Sequence, residues 1–165
     1  VCAESIEAIA KVQNPVQEYG NLLKKLQERG LFYSLNFMFG LDGDTPALFH
    51  ETLEFLERIK APMAFFNSVT PRRGTPLWEQ LHREGRVHNP EAEKYLGMVC
   101  NFLPRNMTPE QCEAGVWECF QKFYSYPSIC RRLLLPPNGY FFQGLPSNVY
   151  FHYVVNRRID PVDFY

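Results

Sequence analysis

A chain of 165 residues that is 45% hydrophobic and 21% charged holds enough apolar material for one packed core, which excludes a disordered segment. A formal net charge of -1, with no block of Lys or Arg, excludes a partner held by phosphate neutralisation, so nucleic acid is not expected. Apolar runs stop well short of a membrane span, and five irregularly spaced cysteines suit reduced thiols in a cytoplasm.

The chain opens at Val1-Cys2-Ala3-Glu4-Ser5 without an initiator Met, and a helical pattern begins at once, as expected of a piece of a longer polypeptide. Ile6, Ile9, Ala10 and Val12 predict a short helix ended by Asn14-Pro15. A second helix carries Val16, Tyr19, Leu22, Leu23 and Leu26, with Gly30 placed to cap it. Leu31 to Phe39 is a near-continuous apolar run, the pattern of a strand covered on both faces. Its alternation sends Tyr33, Leu35, Phe37 and Phe39 to one side and Ser34, Asn36 and Met38 to the other. Ser, Asn and Met in file suit an interior that faces a ligand, and equally suit a strand with one tolerated polar pair.

Thr45-Pro46 predicts a helix start, with Thr45 as N-cap and Phe49, Thr52, Leu53, Leu56 and Ile59 on its inner stripe. Met63 to Val69 reads as the next strand, and Thr75-Pro76 as another helix start closed by Gly85. Strand, helix, strand and helix thus follow one another, and the two strands are expected to be parallel neighbours. From Arg86 to Met107 the pattern is irregular. Thr108-Pro109-Glu110-Gln111 is a capping box that opens a helix lined by Cys112, Val116, Cys119, Phe120 and Phe123. Further helices are predicted from Pro127 to Leu135 and from Pro146 to Arg157, separated by a turn at Pro136-Pro137-Asn138-Gly139, and this last third is very aromatic.

Chemistry is sparse. The cysteines lack the close spacing of a metal cluster and read as buried small hydrophobes, and His50, His82, His88 and His152 have no ligand-like spacing. Asp42 and Asp44 suit a cation or a ribose, or simply the start of the next helix. Arg72 and Arg73 suit an anion or a solvated turn.

Asn36-Phe37-Met38-Phe39-Gly40-Leu41-Asp42-Gly43-Asp44-Thr45 resembles the fifth-strand G-x-I-x-G-L-P-G-E-T segment of radical S-adenosylmethionine enzymes. Thr70-Pro71-Arg72-Arg73-Gly74-Thr75-Pro76-Leu77 resembles their sixth-strand end, usually T-P-x-P-G-T-P-L. Asn106-Met107-Thr108-Pro109-Glu110 and Phe123-Tyr124-Ser125 resemble the tail of the subgroup with a cobalamin-binding domain. The resemblance implies an α/β fold: the C-terminal part of a partial (β/α)6 TIM-like barrel, with two parallel strands and helices, followed by a helical tail. It implies a division into residues 1–85, the last βα units, and 86–165, a mostly helical domain. It also implies S-adenosylmethionine and a 4Fe–4S cluster in the full-length protein, with cobalamin as a further cofactor.

Carried over, Ser34, Asn36, Met38 and Gly40 line the cofactor pocket, with Thr70 and Pro71 near the adenine. Departures are plain: the C-x-x-x-C-x-x-C loop is absent, Asn36 stands for Gly, Asp42 for Pro, and Arg72-Arg73 for an apolar-Pro pair. The chain alone is therefore expected to be catalytically silent, to bind no cofactor itself, and to partner the N-terminal remainder of its polypeptide and a small-molecule substrate. Open sheet edges predict self-association of the isolated chain. A non-catalytic binding module with an aromatic helical surface is the rival reading, and a phosphate-binding barrel using Arg72 and Arg73 is a third.

Overall fold

The computed structural model describes residues 16–88, 97–135 and 139–161. The helix predicted around Ile6 to Val12 and most of the Pro136-Pro137-Asn138-Gly139 turn lie outside the described residues. In chain order the elements are α1 (Val16–Glu28), β1 (Ser34–Phe39), α2 (Ala47–Arg58), β2 (Met63–Ser68), α3 (Pro76–Arg83), α4 (Pro109–Phe123), α5 (Tyr126–Leu133) and α6 (Phe141–Asn156). β1 and β2 pair in parallel, from Ser34 opposite Met63 to Phe39 opposite Ser68.

Local signals place most of these boundaries. Gly30 ends α1 with a φ of 63° and Gly85 follows α3 with a φ of 67°, both in the left-handed region that glycine enters freely. Thr75 accepts from the Trp78 amide at the start of α3. Thr108 and Gln111 form the full reciprocal capping box of α4.

One face of the sheet is packed. Phe39, Ala64, Phe66, Phe49, Leu56, Val116, Cys119, Phe120 and Phe123 belong to one buried cluster fed by β1, β2, α2 and α4. Phe66 meets Phe120 edge-on at 5.1 Å and Phe123 at 5.7 Å, and Phe39 lies 4.6 Å from Phe49. Gly115 lets the Phe49 ring lie directly on α4, since a Cβ there would overlap that ring. Below the cluster, Arg132 has no exposed surface and joins α5, α6 and the α2–β2 turn. It donates to the carbonyls of Ala61 (2.6 Å) and Phe123 (2.8 Å), to Asn148 Oδ1 (2.9 Å) and to Ser128 Oγ (3.1 Å).

Several expectations need correction. The strand is not covered on both faces: Ser34, Asn36 and Met38 are exposed, Met38 by 52%, while Leu35 and Phe37 are half-buried. Thr45 does not cap α2. The helix enters one residue later, through Pro46, with no side-chain cap, and it is the Thr45 carbonyl that accepts from the Leu48 amide. α6 begins at Phe141, ahead of Pro146, and α5 begins at Tyr126. Packing overrides the proline signal: Asn148 holds the Gly144 carbonyl in the first turn, while Arg132 holds Asn148.

The two sheet edges are also unequal, not both open. The Phe39 carbonyl accepts from the Val69 amide, so Leu35, Phe37 and Phe39 turn their peptide groups toward β2. By alternation Ala64, Phe66 and Ser68 turn theirs outward. The Tyr124 hydroxyl donates to the Ala64 carbonyl at 2.7 Å and accepts from its amide at 3.4 Å. The Ser68 amide donates to the Gly97 carbonyl at 2.6 Å. On the other side, Ser34, Asn36 and Met38 turn their peptide groups away from β2, and among the described residues no strand pairs there.

Candidate functional site at the strand ends

The chain leaves β1 through a loop held from two sides. Gly40 has a φ of 102°, and a Cβ there would approach Phe102 Cζ at 3.2 Å, so conformation and space both call for glycine. Buried Asp44 closes the loop from within, its Oδ2 accepting from the amides of Gly40 (3.0 Å) and Leu41 (2.9 Å).

Asp42 closes it from outside. Its Oδ1 accepts from Arg86 Nη2 at 2.5 Å, while Oδ2 accepts from Arg86 Nη1 at 3.1 Å and from Arg105 Nε at 2.7 Å. Glu84 Oε2 joins through Arg86 Nη1 at 2.9 Å, and Asn106 Nδ2 donates to the Asp42 carbonyl at 2.8 Å. The hydrogen bond from Arg86 holds the Asp42 carboxyl below its ordinary range, and the same bond holds the Arg86 guanidinium above its own. Both aspartates are engaged in holding the loop, which favours the structural reading of them.

Beside the loop lies a pocket of about 130 Å³, lined by Gly40, Leu41, Val69, Leu77, Leu81 and Phe102 with Asp42 and Gln80. It is smaller than the roughly 300–1,000 Å³ of ordinary small-molecule sites. The larger opportunity is the β1 side of the second sheet face, where exposed Ser34, Asn36 and Met38 lie in register with half-buried Met63, Phe65 and Asn67, the Phe65 ring meeting Phe151 edge-on at 5.4 Å. Gly97 crosses the end of this face, and a Cβ at that position would overlap the Asn67 amide.

The residues singled out from the sequence thus fall into two groups. Ser34, Asn36 and Met38 share one exposed face, and Gly40 lies buried at its C-terminal end. Half-buried Thr70 and buried Pro71 follow β2, past the rung formed by Phe39 and Val69, with Thr70 Oγ1 3.5 Å from the Ser68 carbonyl. Arg72 and Arg73 are exposed, and the Arg73 guanidinium lies 6.0 Å from the Trp78 ring. Cys100, Cys112 and Cys119 are buried thiols, as expected, and Cys130 is half-buried. The bond with Cys100 and then burial push the Cys112 thiol up, and burial pushes Cys119 up to about 12, so neither is a thiolate. Among the described residues no group of three or more His, Cys, Asp or Glu is placed to hold a metal ion.

Arg86 and Arg105 carry no local signal for this role, because their shared partner Asp42 lies 44 residues from Arg86 and 63 from Arg105. The signal available was the pairing of two departures: an Asp where the resembled motif has Pro, and unassigned arginines in the irregular stretch after Gly85.

Residues 75–135, from the cap of α3 to just beyond α5, match a family described as a domain of unknown function (DUF4070). The chain is 25% identical, over 92% of its length, to the bacteriochlorophyllide d C-12(1)-methyltransferase of Chlorobaculum tepidum, of which it covers 31%. It is 25% identical over 78% of its length to the hopanoid C-2 methylase of Rhodopseudomonas palustris, covering 23% of that protein. It is 25% identical over 68% of its length to the anaerobic magnesium-protoporphyrin IX monomethyl ester cyclase of Cereibacter sphaeroides, covering 18% of it. The chain therefore spans less than a third of the length of these relatives. No solved structure matches it.

Proposed function

This chain is a distant homologue of part of the cobalamin-binding class of radical S-adenosylmethionine methyltransferases and cyclase, and from that premise we propose that it is the C-terminal portion of such an enzyme. In this reading β1 and β2 are the last two strands of a partial barrel, and the remainder of the polypeptide supplies the earlier strands and the cluster-binding cysteines. Residues 1–85 then complete the barrel and residues 86–165 form its helical tail.

The unequal sheet edges carry this reading. A sheet that ends at β2 needs its outer edge covered locally, and Tyr124 at Ala64 and the Gly97 carbonyl at the Ser68 amide cover the two ends of that edge. A sheet that continues beyond β1 needs the opposite, and Ser34, Asn36 and Met38 turn toward that side peptide groups that no strand among the described residues pairs, as a further parallel strand requires.

The exposed β1 file suits S-adenosylmethionine in its donor set. Asn36 and Ser34 can hydrogen-bond ribose hydroxyls, and Met38 offers apolar surface to a planar base. Gly40, Thr70 and Pro71 border that wall at the strand ends. The described residues hold no ligand set for a 4Fe–4S cluster; a cluster bound elsewhere in the polypeptide would supply the electron that cleaves the cofactor. The relatives' names point to methylation or ring closure on a large polycyclic substrate.

Hydrogen exchange tests the assignment. In the longer polypeptide the Asn36 and Met38 amides should be protected, and in the 165-residue chain they should exchange freely, while the Ser68 amide stays slow in both. Equal protection of Asn36 and Met38 in the isolated monomeric chain would remove the need for a further strand. Formation of 5′-deoxyadenosine only by the longer polypeptide is the functional counterpart.

A second reading keeps one observation. The outer face of α6 exposes Phe142 (87%), Val149, Tyr150 and Tyr153, a surface suited to a protein partner. Its inner face packs Phe151, Val154 and Val155 into the fold, which favours the tail of an enzyme. Binding of a protein by a chain that never supports cofactor cleavage would reverse that preference.

A further inference from the structure

Asp42 stands where the resembled strand-end motif has Pro, and the two residues stiffen a turn by different means. A proline fixes φ near -65° covalently, and an aspartate does nothing of the kind alone. Here the stiffness is assembled from outside. Arg86, whose side chain is 13% exposed, uses both terminal nitrogens on Asp42 and its Nε on the Leu103 carbonyl at 2.8 Å. Arg105 and Asn106 add bonds to the Asp42 carboxylate and carbonyl from the segment that leads into α4. Glu84 Oε2 also lies 3.4 Å from Arg105 Nη2, so the two arginines share both acids. Three stretches far apart in sequence, at Asp42, at Glu84 and Arg86, and at Leu103 to Asn106, meet on one carboxylate.

We propose that Asp42 is a positioning residue for S-adenosylmethionine, holding the Gly40–Asp44 loop through Arg86 and Arg105 so that the cofactor wall at the end of β1 is pre-formed. This rests on the enzyme reading above. The Gly40 and Leu41 amides are both taken by Asp44 and cannot grip a ligand. What the end of β1 presents to a cofactor is therefore its side chains and carbonyls, and their placement depends on how firmly the loop is anchored. Asp44 holds the Gly40 and Leu41 amides within the loop, and the Asp42 cluster ties the loop to α3 and to the segment before α4 through charge. The Asn106 segment, which resembles the subgroup's tail, thereby acquires a role in the site, since it reaches back to the strand-end turn.

Equilibrium binding of S-adenosylmethionine to the longer polypeptide with its cluster reconstituted tests this, alongside kcat, KM and melting temperature. Asp42→Ala should raise Kd and KM about tenfold with kcat at saturation within about twofold, the loss expected of a displaced binding wall. Arg105→Ala should raise them less. Asp42→Pro, restoring the residue of the resembled motif, should return Kd to within about twofold of the parent, a rescue that loss of an ion pair alone does not allow. Unchanged affinity in Asp42→Ala, or equal loss in Asp42→Ala and Asp42→Pro, overturns the inference while leaving the enzyme reading intact. A parent protein that binds no S-adenosylmethionine overturns both.

Discussion

At the start of β2, Arg132 lies with no exposed surface among the Ala61 and Phe123 carbonyls, Asn148 and Ser128, its guanidinium 3.6 Å from the Phe123 ring centre. At the far end of the strands, Arg86 faces the carboxylates of Asp42 and Glu84, each about a third exposed. Both arginines tie together segments distant in sequence, and each does so with a fork of donors that a lysine does not have. The environments differ. Burial pulls the Arg132 guanidinium down to about 10, whereas the hydrogen bond to Asp42 raises that of Arg86. A cation held by carbonyls and amides costs desolvation and stays put at any ordinary pH. A cation held by carboxylates near solvent is cheaper to build and can be released by acid or salt.

Mutation should separate the two poles widely. Arg132→Ala leaves the Ala61 and Phe123 carbonyls and Asn148 buried without their donor, and about 3–5 kcal/mol of stability should be lost in urea unfolding. Arg132→Met should lose less, because the stem volume is kept. A loss below about 1 kcal/mol in Arg132→Ala would mean that water reaches the pocket and that the contrast is overdrawn.

The sealed edge comes next. Tyr124→Phe removes the hydroxyl from both polar groups of Ala64 and keeps the ring against Phe151, which lies 5.0 Å away. About 1–2 kcal/mol should be lost, and exchange of the Ala64 amide should quicken. An unchanged Ala64 amide would assign that end of the edge to packing and not to the hydroxyl.

Acid gives the smallest effect and separates the poles by charge type. The Asp42 carboxyl is held below its unfolded value, so its contribution is complete above roughly pH 4 and fades as pH falls further. Asp42→Asn should flatten that part of the stability profile, and Arg132→Met should leave it unchanged. The same slope in the parent and in Asp42→Asn would locate acid sensitivity elsewhere. High salt should weaken the Asp42 cluster and spare Arg132.

These poles also show how far local sequence speaks. Thr75, Thr108, Gly30 and Gly85 set helix ends through bonds within a few residues, so their signals read directly. The α4 stripe and the alternation in β1 read equally well, since periodicity reports which face a residue shares. Periodicity does not report what lies opposite. The apolar run ending at Phe39 has the pattern of a strand covered on both sides, yet its Ser34, Asn36 and Met38 file is exposed. Arg132 carries no sequence signal either, because its acceptors lie up to 71 residues away and include two backbone carbonyls, which every sequence supplies. Pro146 misleads for a related reason: tertiary bonds through Asn148 sustain a helical turn ahead of it. At the strand ends, the resemblance marks where a loop would be, and only the folded chain brings Arg86 and Arg105 to it.

The Tyr124 contact has a consequence for assembly. A strand ladder with two bare edges adds copies without limit, and the product is a fibre. With the β2 side stopped among the described residues by one hydroxyl and one carbonyl, edge-to-edge pairing of two copies is expected to run β1 to β1, about a twofold axis. That contact uses up both available edges, so growth halts at a pair. Any tendency of the exposed sheet to stick to itself therefore has a ceiling of two, set from the opposite side of the sheet.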